Sequence, residues 1–143
     1  MQRGPPMLHG SCLCGNIRYE IRGDPGPAYY CHCSRCRKAG GSAFASNAVV
    51  AAQDFVIVSG QDSLKTFSTK EGVHRDFCGN CGSPLISRRD ALPDMVRVRM
   101  GTIDTPLQQG PGAHIYVASK ADWHAIHDTL PQYPERPPAI GKR

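Results

Sequence analysis

The sequence predicts a mainly β domain with short helical turns, and three observations carry that prediction. Fifteen glycines and twelve prolines in 143 residues leave little room for long helices and suit short strands joined by tight turns. Several short segments alternate apolar and polar side chains, the period of a strand with one buried face. Seven cysteines fall in tight C-x-C, C-x-C-x-x-C and C-x-x-C clusters, which supplies a metal-organised centre to a chain whose core must be modest. With 40% hydrophobic and 20% charged residues, the length fits one globular domain and makes a second full domain unexpected.

Taken in order, residues 1–9 read as a loose leader, and Gly10-Ser11-Cys12-Leu13-Cys14-Gly15 opens the fold. Asn16 to Arg22 alternates apolar and charged residues and predicts the first strand, broken by Gly23-Asp24-Pro25-Gly26-Pro27. Tyr29-Tyr30 leads into Cys31-His32-Cys33-Ser34-Arg35-Cys36, after which Ser34 to Gly40 can form one helical turn ended by glycine. A strand is expected through Ser42–Ser46 and Val49-Val50, another at Phe55–Val58 and another at Leu64–Phe67, the last two at hairpin-like spacing. Val73 to Phe77 runs into Cys78-Gly79-Asn80-Cys81-Gly82, a knuckle whose glycines let the backbone turn so that both sulfurs face one ion. Met95 to Met100 alternates most clearly and places its arginines on one face. His114 to Ser119 reads as a final strand, and Lys120 to Ile126 as a turn or short helix with Ser119 or Asp122 as caps. Four prolines from Pro131 onward argue for an extended or frayed tail. The expected division is a leader at 1–9, a zinc domain at 10–131 and a proline-rich tail at 132–143.

Seven is an odd number of cysteines, so at least one stays out of any intramolecular disulfide, and disulfide scaffolds scatter their cysteines rather than cluster them. The first nine residues hold no apolar run long enough for a secretory signal, and no segment is long enough to span a bilayer. A reducing cytoplasm is therefore expected, where clustered thiols read as metal ligands. The net charge of +5 favours anionic partners. Because the basic residues are spread without a block of like charge, a nucleic-acid arm is not indicated.

Cys12 and Cys14 leave one metal site half built and Cys78 and Cys81 another; together they make a closed Cys₄ tetrahedron of the structural kind. The alternative, a pair of redox motifs, lacks the βαβ context of a thioredoxin-like site. Cys31, Cys33 and Cys36 remain, and three thiolates on Zn²⁺ leave a corner for water or an exogenous thiol, the mark of a catalytic site. The competing reading is a second structural site completed by His32 or another histidine, although His32 lies between two ligands and should point away from their ion. Arg35, Arg37 and Lys38 flank the triplet and can clasp carboxylates or simply form a solvated basic turn.

These motifs, with Phe77 to Leu85 and His114 to Trp123, resemble the glutathione-dependent formaldehyde-activating enzyme family, which includes the centromere protein V domain. The resemblance runs from about Gly10 to Pro131. It implies a β-tent of small antiparallel sheets, a structural zinc on Cys12, Cys14, Cys78 and Cys81, and a second zinc on Cys31, Cys33 and Cys36, in agreement with the division reached from spacing. It also implies condensation of glutathione with formaldehyde to S-hydroxymethylglutathione, a carbon–sulfur lyase activity in the reverse sense. The expected partners are a glutathione-type thiol and a small aldehyde. Two other classes stay open at the level of sequence: a protein that only binds a thiol or its adduct, and a zinc-stabilised interaction module.

Overall fold

The structure, a computed structural model, describes residues 7–137. In chain order its strands are β1 (Met7–Ser11), β2 (Arg18–Arg22), β3 (Ala28–Cys31), then helix α1 (Ser34–Gly40), β4 (Ala45–Ala51), β5 (Phe55–Ser59), β6 (Leu64–Ser68), β7 (Val73–Cys78), β8 (Pro84–Arg89), β9 (Leu92–Arg99) and β10 (Ala113–Ile115). They form a three-stranded sheet in the order β1-β2-β5 and a seven-stranded sheet in the order β10-β3-β4-β9-β8-β7-β6. The mainly β prediction holds. The expectation of antiparallel sheets holds for every pair of strands except β10 and β3, which run parallel.

Alternation explains the layers. In β2, Tyr19 and Ile21 face inward while Arg18 and Arg22 face solvent, and with Leu8 they cover one side of a core completed by Val50, Leu85, Ile86, Val96 and Val98 of the larger sheet. Complete burial of side chains such as Ile21, Leu85 and Val98 stabilises by about 1.5–3 kcal/mol each. Gly10 belongs to this interface, because a Cβ there would lie 2.1 Å from the Tyr19 ring. Cys12 and Cys78 are members of the same core, so the first cysteine group grows directly out of it.

Three local expectations are corrected. Residues 7–9 are not leader but the start of β1, where Leu8 is buried and paired with Ile21; residues 1–6 lie outside the described part. Phe55–Val58 and Leu64–Phe67 do not form a hairpin: β5 pairs with β2 and β6 with β7. Gly60, at φ 83°, and the 3₁₀ turn Gln61–Ser63 carry the chain from one sheet to the other, because Phe55 packs on Tyr19, ring centroids 4.8 Å apart. The strand expected at His114–Ser119 ends at Ile115, since Tyr116 takes a left-handed conformation (φ 57°) and a 3₁₀ turn follows at Val117–Ser119. Of the tail, expected to be extended or frayed, the described part is held by backbone hydrogen bonds as far as Glu135. Tyr133 N–H donates to the His114 carbonyl at 2.9 Å and Tyr116 N–H to the Glu135 carbonyl at 3.0 Å, satisfying the otherwise open edge of β10. Residues 138–143 lie outside the described part.

Candidate functional site

The first cysteine group is assembled from two distant hairpin ends. Cys12 and Cys14 lie in the turn after β1, Cys78 at the end of β7 and Cys81 in the turn before β8. All seven cysteines are free. The Cys12–Cys14 and Cys14–Cys78 sulfurs are 3.6 Å and 3.9 Å apart, and all four lie within 4.8 Å of one another. Sulfurs at ~2.3 Å from a tetrahedral ion are separated by about 3.8 Å, so the arrangement fits one such ion and no disulfide. The N–H groups of Asn80 and Cys81 donate to the Cys78 sulfur at 3.3 Å and 3.4 Å, but burial outweighs them and raises the Cys78 pKa; the Asn80 amide, donating to Cys14 at 3.2 Å, lowers the Cys14 pKa. Ser83 holds the Cys81 thiol down to about 5. The knuckle closes because Gly82 adopts φ 83° and its N–H donates to the Cys78 carbonyl at 2.7 Å.

The second group is local. Cys31 ends β3, Cys33 caps α1 by accepting from the Cys36 N–H at 3.3 Å, and one helical turn brings Cys36 back beside Cys33. Gly41, in the left-handed conformation, ends the helix by donating to the Arg37 carbonyl. The three sulfurs lie within 4.8 Å of one another, and among the described residues no histidine or carboxylate completes the group. His32 points the other way, as its position between two ligands requires. It is fully buried, with Nε2 2.8 Å from His114 Nδ1, and His114 Nε2 reaches the Asp128 carboxylate at 2.9 Å. Burial, with the neighbouring His114, lowers the His32 pKa to about 4, which keeps the ring neutral. Hydrogen bonds from Cys31 and Cys33 lower the Cys36 pKa, and the charges of Arg99 and Arg75 act in the same direction.

The three sulfurs open onto a cavity of about 480 Å³ whose lining includes Arg35, Arg75, Arg89, Arg97 and Arg136 and, among the described residues, no acidic side chain. Two other clefts of comparable size, one beside Asp24 and Asp94 and one beside Pro25 and Pro137, contain none of the cysteines. The chemistry-bearing cavity is thus the one at Cys31, Cys33 and Cys36. It also contains Tyr116, whose positive φ is the strained kind of backbone that recurs beside functional sites.

Comparison with known proteins bears on what this arrangement is. Residues 7–119 match the model of the glutathione-dependent formaldehyde-activating enzyme family. The chain belongs to this family. A relative from Halomonas elongata, provisionally named a glutathione-dependent formaldehyde-activating enzyme, is 33% identical over 128 residues, 84% of this chain and 81% of its own length. The crystal structure of a Rhodobacter sphaeroides protein shares the fold, with a TM-score of 0.60 at 23% identity over 72% of this chain and 97% of that one.

Within this family member, the basic residues singled out from the sequence separate. Arg35 lines the cavity, whereas Arg37 and Lys38 lie on α1 outside its lining. The sequence reasoning missed Arg75, Arg89, Arg97 and Arg136. Strand register brings the first three together: Arg75 of β7 faces Ser87 of β8, which faces Arg97 of β9, and Arg89 sits two residues along from Ser87. The only signal in the sequence was an arginine at matching parity in three strands, and without the pairing register that parity is mute. Asp128 was also missed, since nothing local links it to Cys31-His32-Cys33.

Proposed function

We propose that this protein is a zinc-dependent carbon–sulfur lyase or synthase that joins a glutathione-type thiol to a small aldehyde, in the manner of an S-hydroxymethylglutathione synthase, and that it works in the cytoplasm. The observation that carries this reading is the contrast in enclosure. Four cysteines form a complete tetrahedral set against the core, while three others form an incomplete set facing a cavity rich in arginine. Zinc on both sets accounts for the free cysteines, and clustered free thiols suit a reducing compartment. Cys31, Cys33 and Cys36 would hold the ion, and zinc there would supply a Lewis acid with a preference for soft sulfur that lowers the pKa of a bound thiol.

The chain's own residues do the rest. Arg35 at the cavity mouth, with Arg89 and Arg136, offers forked donors to the two carboxylates of a glutathione-type thiol, orienting as well as binding it. Val49, Met95 and Ile115 contribute apolar wall, which excludes water from the reacting sulfur and strengthens those contacts. In the forward direction a carbon–sulfur bond forms, the carbonyl π pair moves to oxygen, and the proton lost by the thiol ends on the new hydroxyl.

The test uses zinc-loaded protein and calorimetry. Glutathione should bind at least ~10-fold more tightly than S-methylglutathione, about 1.4 kcal/mol, because methylation blocks the sulfur but leaves both carboxylates. Cys33→Ser should abolish the difference. Equal binding of the two ligands, or no binding of either at millimolar concentration, would remove the sulfur as the handle and favour a zinc-stabilised interaction module.

A further inference from the structure

The cavity carries more positive charge than a glutathione-type thiol and a neutral aldehyde can use. Among the described residues five arginines line it and no acidic side chain does. Three thiolates with a divalent ion contribute about −1; a glutathione thiolate has two carboxylates, one thiolate and one ammonium, a net charge of −2. Formaldehyde contributes nothing. Arg35 and Arg136 are exposed and Arg35 lies 3.8 Å from Glu71, so the surplus rests on the half-buried Arg75, Arg89 and Arg97, where it favours a further anionic partner.

That surplus is focused on one place. Arg75, Ser87 and Arg97 lie side by side on β7, β8 and β9 and all face the cavity. Arg97 Nε donates to the Ser87 hydroxyl at 3.2 Å, and Ser87 is buried, 3% exposed. Arg75 Nη1 is buried without a hydrogen-bond partner. Among the described residues neither Arg75 nor Arg97 forms an ion pair, while Arg88 on the opposite face is taken by Asp76 at 2.9 Å. The two arginines are two strands apart, ~9.6 Å between backbones, a span that two guanidinium groups can close over one anionic group above Ser87. Arg75, Ser87 and Arg97 line the same cavity as Cys31, Cys33 and Cys36, so an anion held here shares that cavity with the reacting sulfur. The carboxylates of a glutathione-type thiol are several bonds from its sulfur and suit Arg35, Arg89 and Arg136 instead.

We infer that Arg75, Ser87 and Arg97 form a carboxylate subsite for the carbonyl substrate, and that the aldehydes this site takes include a small 2-oxo acid of the glyoxylate class. The inference rests on the thiol-addition reading above and names its second substrate. A carboxylate next to the carbonyl carbon puts an anion in this subsite with the carbonyl in the cavity that the three cysteines line. The reaction remains a balanced addition without redox change. The thiol S–H and the C=O π bond break, and the C–S and O–H bonds of a 2-hydroxy-2-thioether acid form.

Two measurements on the zinc-loaded full chain keep the subsite and the reaction apart. In the first, glyoxylate binding without thiol is followed by ligand-observed NMR, with acetaldehyde as the neutral comparison, for the native chain, Arg75→Gln and Arg97→Gln, each checked for a native melting transition. In the second, exchange NMR gives the enzyme-dependent rate of glutathione addition to each aldehyde, corrected for the spontaneous rate. The expected results are glyoxylate binding that weakens at least ~10-fold in both variants and a glyoxylate-to-acetaldehyde rate ratio of at least ~10 that falls toward unity in them. Arginine-dependent binding without acceleration of either addition supports the subsite and overturns the thiol-addition reading. Glyoxylate binding that is unchanged in both folded variants, or absent, overturns the subsite even if formaldehyde or acetaldehyde addition is accelerated. If one variant fails to fold, the other decides.

Discussion

The two cysteine groups use the same ligand chemistry for opposite ends, and chain separation distinguishes them. Cys12 and Cys14 come from the turn after β1, Cys78 and Cys81 from the β7–β8 turn, and Cys12 and Cys78 are buried in the shared core. An ion there ties the small sheet to the large one and closes most of the intervening chain into a loop, so its binding energy is folding energy. Cys31, Cys33 and Cys36 sit within six consecutive residues, on one strand end and one helical turn. An ion there closes almost no loop and holds nothing distant together. A complete ligand set with long chain separation stabilises a fold; an incomplete set with short separation facing a cavity is left for chemistry.

The largest test of this comparison is Cys78→Ser against Cys33→Ser. A structural zinc can contribute ~10 kcal/mol or more in a small domain, comparable with a typical total stability of about 5–15 kcal/mol. Cys78→Ser should therefore abolish the cooperative melting transition or lower it by well over 10 °C. Cys33→Ser should cost only about 1–2 kcal/mol, a shift of roughly 2–8 °C. Equal melting temperatures would contradict the division of labour.

Metal removal gives the next largest effect. Protein purified under reducing conditions should hold two zinc ions per chain by elemental analysis. A graded chelator should remove one equivalent while the melting transition stays intact, and the second only as the protein unfolds. A single equivalent, with Cys31, Cys33 and Cys36 titrating as thiols, would leave the second group without its metal.

The grouping of the cysteines was legible in the sequence, because the spacing within each cluster is local, and the structure brings Cys12, Cys14, Cys78 and Cys81 together and Cys31, Cys33 and Cys36 together. The strand expected at Met95–Met100 was legible for the same reason, its alternation being local, and is found at Leu92–Arg99. What failed was long-range. The β5 and β6 segments have hairpin spacing, yet a 3₁₀ turn sends them to different sheets, a choice made by the packing of Phe55 on Tyr19. The arginine floor of the cavity depends on the register of three strands. The contact of Asp128 with His114 and of His114 with His32 depends on where a loop without regular structure comes to rest.

That last contact offers a finer test. His114 Nε2 lies 2.9 Å from the Asp128 carboxylate and His114 Nδ1 lies 2.8 Å from His32 Nε2, so a carboxylate orients, through His114, the residue between two ligands. Asp128→Asn should speed chelator-driven loss of the second ion and leave loss of the first unchanged. The effect should be smaller than the ~10–100-fold seen when a ligand's direct partner is removed, because Asp128 touches no ligand. Equal acceleration at both groups would mean that the variant merely loosens the fold.

The smallest effect lies at the cavity mouth. Arg35 and Glu71 are 3.8 Å apart and both side chains are about 60% exposed, 60% and 62%. Such a pair is worth no more than about 1 kcal/mol and is weakened by salt, so Glu71→Gln should leave the melting temperature nearly unchanged. Glu71 nonetheless competes with an acidic ligand for the Arg35 guanidinium. Glu71→Gln should therefore tighten glutathione binding by about 2-fold and Arg35→Gln weaken it by about 2–3-fold, both within the range of exposed charge interactions. Lys38→Gln, on α1 outside the cavity lining, should change it by less than either. Calorimetry at low and high salt separates the cases, since both opposite-signed effects should shrink together as the Debye length falls below the Arg35–ligand distance. Effects that persist undiminished in ~1 M salt would mean that Arg35 acts through a desolvated contact deeper in the cavity rather than as a screened charge at its rim.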